Sequence, residues 1–168
     1  MQKLTESQLK ALGAVVTGSQ MDNGEHRVAL MAADGSGFSR ATMPASRPGG
    51  WQNAHYHGAV LRNGDEPGDV PGVFETVVVH VGWIGVAYEL LDGTRGVRVL
   101  KPGGVWIFPP GVMHNTYMSS GTEILWLKYG KPVPNPERDG NDWWEAPDFD
   151  RWTKSLTESD IHRLDILN

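Results

Sequence analysis

Apolar and polar residues alternate over short runs through most of the chain. An alternation with a period of two places successive side chains on opposite faces of a β-strand. The runs are separated by turn-forming clusters of Gly, Pro, Asp and Ser, as expected in an antiparallel sheet. The clearest runs are Val73–Val81, Ile84–Leu90, Val97–Leu100, Val105–Phe108, His114–Met118 and Glu123–Tyr129. Six or more short strands, with no long helices between them, predict an all-β antiparallel sandwich or barrel.

Helices are predicted only near the two ends of the sequence. Thr5 with Gln8 three residues later has the spacing of a capping box and predicts a short helix over residues 5–12. Thr157 is a good N-cap for a second helix that runs to about Leu167. The chain is therefore predicted to carry short N-terminal and C-terminal helices around the β-structure.

The sequence divides into a barrel core and a C-terminal extension. A hairpin pattern, Arg27–Met31 and Gly37–Met43, opens the core, which we place at about residues 26–130 of one domain covering 1–168. The extension, residues 131–168, has too much aromatic surface to leave in water. We expect it to pack on the barrel or across a dimer interface. Its aromatic residues include Trp143, Trp144, Phe149 and Trp152.

Composition and charge exclude several classes of function. The chain has 168 residues with 21 Gly and 11 Pro, which favours one domain with many turns. A net charge of −5 gives no broad cationic surface, so nucleic acid is not an expected partner. No apolar run is long enough for a bilayer, and the first residues lack a secretory segment, so we expect a cytoplasmic protein without membrane contact. Because the chain has no Cys, a bound metal would need nitrogen and oxygen donors.

Four residues form a complete set of donors for a divalent transition metal. His55 and His57 are two positions apart, so a strand through them would present both imidazoles on one face. Glu75 shares a strand face with apolar residues, where a lone carboxylate is costly unless a cation offsets its charge. His114 would complete the set from a third strand, whereas His80 falls on the face opposite Glu75.

The spacing of these residues resembles the two motifs of the cupin superfamily, G-x5-H-x-H-x3-4-E-x6-G and G-x5-P-x-G-x2-H-x3-N. The first motif aligns with Gly49, His55, His57, Glu75 and Gly82. The second aligns with Gly103, Pro109, Gly111 and His114. This resemblance implies a double-stranded β-helix, or jelly-roll barrel, that holds a metal inside through His55, His57, Glu75 and His114. The metal could be Fe, Mn, Ni, Co, Cu or Zn, because affinity order alone does not choose among them.

Two positions depart from the family pattern. Seventeen residues, Gly58 to Phe74, separate His57 from Glu75 where the motif has three or four. We interpret this segment as a loop at the barrel mouth, because extra loop length costs little in closure entropy. Met118 replaces the motif's Asn, which does not bind metal in the family.

Other side chains are candidates for chemistry or substrate contact. Either Lys128 or Tyr129 faces the barrel interior, because neighbouring strand residues point in opposite directions; an inward Lys128 could clamp an anion or stabilise an oxyanion. Tyr88 and Glu89 pose the same alternative, with Glu89 a candidate proton-transferring group. The remaining candidates for substrate contact are Gln52, Trp106 and Trp126. Turn polarity explains Gln52 equally well, and core packing explains Trp106.

Two functions from different classes are compatible with this sequence. The first is a metal-dependent enzyme acting on a small organic molecule, and the resemblance implies dioxygen-dependent oxidation, sugar isomerisation or lyase chemistry. The second is a non-catalytic module that binds a metal or small ligand, since one fold serves many functions. In either case the expected partners are a small molecule and a second copy of the chain in a homodimer.

Overall fold

A computed structural model describes residues 14–32, 36–58, 71–90, 92–138 and 142–167. The helix predicted over residues 5–12 lies outside these ranges. The strands are β1 (Ala14–Gln20), β2 (His26–Ala32), β3 (Gly37–Thr42), β4 (Gly50–Trp51), β5 (His55–Tyr56), β6 (Val73–Val81), β7 (Ile84–Glu89), β8 (Arg95–Leu100), β9 (Val105–Phe108), β10 (Met113–Met118), β11 (Glu123–Gly130) and β12 (Trp144–Glu145). A 3-10 turn spans Pro136–Arg138, and two helices follow, α1 (Pro147–Lys154) and α2 (Glu158–Leu167).

Two antiparallel sheets form the barrel. The strand order is β1-β2-β3-β11-β6-β9 in the first sheet and β12-β5-β10-β7-β8 in the second, where β4 also pairs with β10. The predicted all-β antiparallel barrel is therefore confirmed. Strand β1 was not predicted from the sequence; it pairs with β2 along its whole length and adds an edge strand to the first sheet.

The barrel interior is filled by alternate residues of the facing strands. Val77 and Val79 of β6 and Ile124 and Trp126 of β11 are buried together in one apolar cluster. Val77 is directly opposite Trp126 across the β6–β11 ladder. This register fixes which residues of β6 and β11 point inward, including those nearer the end of the barrel that holds the histidines.

The C-terminal extension covers the outer face of the second sheet. Phe149 of α1 and Ile161 of α2 are buried there with Ala87 and Val97 of the barrel. Thr157 caps α2 as predicted, since its hydroxyl accepts the backbone N–H of Asp160. Much of the aromatic surface of the tail is thus covered within the chain. None of the described helices has the length and apolar character needed to cross a membrane.

The outer face of the first sheet exposes apolar side chains from several neighbouring strands. Contiguous apolar surface of this kind is typical of protein interaction sites. The exposed residues are Val28, Leu30, Phe38, Val105, Ile107 and Leu127. The homodimer expected from the sequence stays a prediction, and this face is where such an interface would bury apolar area.

Candidate metal centre

The histidine pair lies where a short strand of the second sheet meets the C-terminal extension. His55 is directly opposite His114 in the β5–β10 pairing and opposite Glu145 in the β5–β12 pairing. His57 follows β5 and is 2% exposed. Its carbonyl accepts the backbone N–H of Gly111 at 2.7 Å. The two histidines are therefore held by backbone contacts on both sides.

The other two predicted ligands come from longer strands. Glu75 lies in β6, opposite Lys128 of β11 on one side and Phe108 of β9 on the other. His114 lies in β10, and its ring stacks on that of Phe108 with 4.1 Å between centroids. Both Glu75 and His114 are almost fully buried. The strands thus deliver a carboxylate and a third imidazole into the same space.

The four side chains converge on one point. Glu75 Oε2 lies 2.8 Å from Nε2 of His57, 3.3 Å from Nε2 of His114 and 3.4 Å from Nε2 of His55. One donor atom from each residue lies within 4.8 Å of the other three. The four residues that the sequence pattern groups as candidate metal ligands therefore lie together in the structure.

Backbone carbonyls fix the tautomer of each imidazole. Nδ1 of His55 contacts the carbonyl of Asn53 at 2.8 Å, and Nδ1 of His114 contacts that of Val112 at 2.9 Å. Nδ1 of His57 contacts the carbonyl of Asp142. A carbonyl only accepts hydrogen bonds, so each Nδ1 carries the proton. Each ring therefore turns its Nε2 toward the carboxylate.

Burial keeps these groups in the protonation states that favour metal binding. Desolvation lowers the pKa of His55 to about 3 and also lowers the pKa of His114. Burial would raise the pKa of Glu75, but the charge of Lys128 and contacts with the imidazoles hold it well below its ordinary value. Neutral rings and an ionised carboxylate are the forms that bind metals. Nε2 of His55 and Nε2 of His114 face this carboxylate together with Nε2 of His57, and a divalent cation fits that donor set.

Lys128 faces the site, which settles the alternative left open by the sequence. Its Nζ lies 3.4 Å from Glu75 Oε1 and 3.5 Å from His57 Nε2. Tyr129, the next residue, is 45% exposed on the outside of the barrel. Lys128 pairs with Oε1 of Glu75, whereas the imidazoles face Oε2. The carboxylate can therefore contact the ammonium through one oxygen and a cation through the other.

Tyr88 and Glu89 separate in the same way. Tyr88 is opposite His114 across the β7–β10 ladder, and its ring stacks on that of Trp106 with 5.6 Å between centroids. Glu89 points to the other face of β7, where it accepts a hydrogen bond from Arg95 at 2.6 Å. The structure therefore places Glu89 outside the barrel, apart from the four converging residues.

The remaining candidates lie along the inner face at different depths. Trp106 packs against the barrel core, and Trp126 is buried two residues before Lys128. Gln52 lies away from the histidines, where it donates a hydrogen bond to Glu25 at 2.7 Å and contacts Met118. Trp126 Nε1 and Thr116 Oγ1 are buried without a hydrogen-bond partner in the described part of the chain. Thr116 lies two residues after His114, on the same face of β10.

Comparison with known proteins establishes the fold. No protein-family model and no curated protein matches the sequence. Solved structures do match: an oxalate decarboxylase variant from B. subtilis has a TM-score of 0.54 at 12% identity, over 89% of this chain and 37% of that one. The formate complex of Lactobacillus farciminis oxalate decarboxylase has a TM-score of 0.54 at 15% identity, over 90% and 38%. The Drosophila melanogaster CENP-C cupin domain has a TM-score of 0.50 at 9% identity, over 68% and 75%.

The chain has the cupin fold. It spans less than two fifths of each of the two oxalate decarboxylase chains. At these identities the likeness concerns the fold. The chemistry of this protein therefore depends on its own residues.

Two of the glycines in the motifs are required by the backbone conformation at their positions. Gly82 and Gly111 have φ of 76° and 83°, in the left-handed region that side chains disfavour. A Cβ at Gly82 would lie 2.4 Å from Thr122 Oγ1. At Gly111 the turn directs the backbone N–H toward the carbonyl of His57. The glycine spacing therefore reports two tight turns, of which the one at Gly111 lies beside the four converging side chains.

Sequence reasoning missed two residues of the extension that contact the site. Asp142 accepts the Nδ1 proton of His57 through its carbonyl. The ring of Trp143 lies 5.2 Å from that of His55 and forms part of the wall of a cavity of about 240 Å³. The sequence shows an Asp directly followed by two Trp residues, which indicated a packed segment, but nothing in the sequence placed this segment near His57.

Proposed function

We propose that this cupin is a metal-dependent enzyme that acts on a small organic molecule. His55, His57, Glu75 and His114 would hold one divalent transition metal. The observation that carries the proposal is the convergence of three Nε2 atoms on one carboxylate oxygen, with each Nδ1 held by a backbone carbonyl. A bound metal supplies Lewis acidity toward an oxygen atom of a substrate.

Charge balance favours a substrate that binds through a negatively charged oxygen. The charge of Glu75 is offset by Lys128 at 3.4 Å, and imidazoles that bind a metal do so as neutral ligands. A divalent cation would therefore leave a net positive charge in a buried space, which an oxygen anion would reduce. Lys128 has three N–H donors, so it can hold Glu75 Oε1 and still donate to a substrate oxygen.

The inner face of the barrel supports a small substrate with an apolar part. Tyr88 and Trp106 form a stacked aromatic wall on the strands beside the metal centre. Trp126 Nε1 and Thr116 Oγ1, which have no hydrogen-bond partner among the described residues, could each satisfy a polar atom of a bound molecule. Apolar side chains fill the deeper interior, which limits the size of the ligand.

The proposal is tested by a turnover screen of the metal-loaded protein. Separate samples loaded with Fe(II), Mn(II) or Zn(II) would be offered small carboxylates including oxalate, diketones, phenols and aldoses. Oxygen uptake and product spectra would be recorded. For each carboxylate, its neutral amide or ester would serve as the matched control. We expect turnover of at least one anion-forming compound, no turnover of its neutral analogue, and full loss of activity with a chelator.

A different outcome would favour the non-catalytic alternative. Compounds that bind the metal-loaded protein but are recovered unchanged with every metal would overturn the catalytic proposal. Oxygen uptake with iron would assign the reaction to the oxidative branch. Turnover without oxygen uptake would assign it to isomerase or lyase chemistry.

A further inference from the structure

Asp142, in the C-terminal extension, joins the two chain segments that carry His57 and Glu75. Its side chain accepts the backbone N–H of Gly58 at 2.5 Å and that of Val73 at 2.9 Å. Gly58 directly follows the ligand His57, and Val73 begins β6 two residues before the ligand Glu75. One carboxylate therefore sets the distance between the backbones next to two proposed ligands.

The same residue orients the imidazole of His57. The backbone carbonyl of Asp142 accepts the Nδ1 proton of that ring, which directs Nε2 toward Glu75. Asp142 is 9% exposed, so its carboxylate interacts with these two N–H groups largely out of water. Buried N–H groups that lose their acceptor are costly, because water cannot replace it.

The residues after Asp142 hold the other histidine of the pair. Trp143 packs beside the ring of His55, and β12 pairs with β5 at Trp144 opposite Tyr56 and Glu145 opposite His55. Strand β5 has only two residues and a single residue pair with β10. Its pairing with β12 on the other side therefore adds support that β10 alone does not give. The extension thus holds β5, the strand that contains His55, on the side opposite β10.

We propose that Asp142 is a positioning residue that holds His57 in its Nδ1-protonated tautomer and thereby tightens metal binding. The metal part of this inference rests on the proposed function. The tautomer part concerns the protein alone. Residues that orient a metal-binding histidine typically change metal affinity by about 10-fold to 100-fold when altered.

The test compares Asp142→Ala and Asp142→Asn with Asp165→Ala. Asp165 is a matched control because it also lies in the extension and accepts a barrel N–H, that of Val99 at 3.0 Å, away from the site. Zinc dissociation constants would be measured by competition with a chromophoric chelator. The tautomer of His57 in metal-free protein would be read from its side-chain nitrogen NMR shifts.

Asp142→Ala keeps the backbone carbonyl but removes both hydrogen bonds that hold residue 142 against Gly58 and Val73, so the carbonyl is no longer held at Nδ1 of His57. We therefore expect Asp142→Ala to raise the zinc dissociation constant about 10-fold to 100-fold and to populate the Nε2-protonated tautomer of His57. Asp142→Asn should fall between wild type and Asp142→Ala, because an amide oxygen can accept one of the two N–H groups while the NH₂ cannot. Asp142→Asn also keeps the side-chain shape, so it supplies the measurement if Asp142→Ala does not fold. Asp165→Ala should leave both readings at wild-type values.

Equal dissociation constants and an unchanged His57 tautomer in the Asp142 and Asp165 variants would overturn the positioning role. Failure of the proposed function would look different: either the metal-loaded wild type would turn over no compound while zinc binding stays measurable, or the wild type would bind no zinc. In either case the tautomer readout would still decide whether Asp142 orients His57.

Discussion

Addition of the cognate divalent metal to chelator-treated protein is expected to raise the melting temperature by about 8–16 °C. A ligand that binds only the native state at about 1,000 times its dissociation constant stabilises it by about 4 kcal/mol. For a chain of this size, each kcal/mol shifts the midpoint by about 2–4 °C. The effect should be large because the donor atoms already lie within 4.8 Å of one another, so little reorganisation opposes binding. Differential scanning calorimetry with and without metal measures it.

Two histidine variants give this prediction its control. His114→Ala removes one donor and should reduce the metal-dependent shift to a few degrees or less. His80→Ala changes the same residue type at an exposed position of β6 and should keep the full shift. An equal shift in both variants would mean that the metal binds elsewhere.

Replacement of Lys128 by Met is expected to lower kcat by about 100-fold to 1,000-fold while the protein keeps its metal. Loss of one preorganised donor to a developing oxyanion has an effect of about that size. The ammonium lies 3.4 Å from Glu75 Oε1, beside the donor cluster, and only 22% of its side-chain surface is exposed. Steady-state kinetics would be measured on the compound found in the turnover screen, and metal content on the same sample. Together they show whether the substitution lowers kcat without lowering metal content.

Lys101→Met is the matched control for Lys128→Met, because Lys101 is an exposed residue between β8 and β9. It should leave kcat and KM unchanged. An unaltered kcat/KM in Lys128→Met would remove Lys128 from the chemistry and leave it only a partner of Glu75.

The convergence of His55, His57, Glu75 and His114 could be predicted from sequence because strand periodicity indicates which residues share a face and because their spacing resembles the two cupin motifs. His55 and His57 differ by two positions, and the turns around His114 require glycines that the sequence shows directly. Periodicity could not decide between Lys128 and Tyr129. That choice depends on the pairing of Lys128 with Glu75 across β11 and β6, which is a tertiary register.

Other features depend on contacts that leave no local pattern. Asp142 is 85 positions from His57, and it orients that ring through a backbone carbonyl, which every residue type possesses. Glu89 lies outside the barrel because of the same alternation that places Tyr88 inside, and the sequence alone does not say which face is inner. Strand β1 was missed because its residues alone do not distinguish a strand from a loop. Its assignment depends on the pairing with β2.

Elemental analysis of the protein purified without added metal, alongside His57→Ala and His80→Ala, tests the metal centre most directly. We expect about one divalent transition metal ion per chain in wild type and in His80→Ala, since the donor set forms one site. His57→Ala should lose that ion, because His57 Nε2 makes the shortest contact with Glu75. Wild-type protein without metal even after incubation with each candidate ion, or His57→Ala with unchanged metal content, would contradict the metal centre.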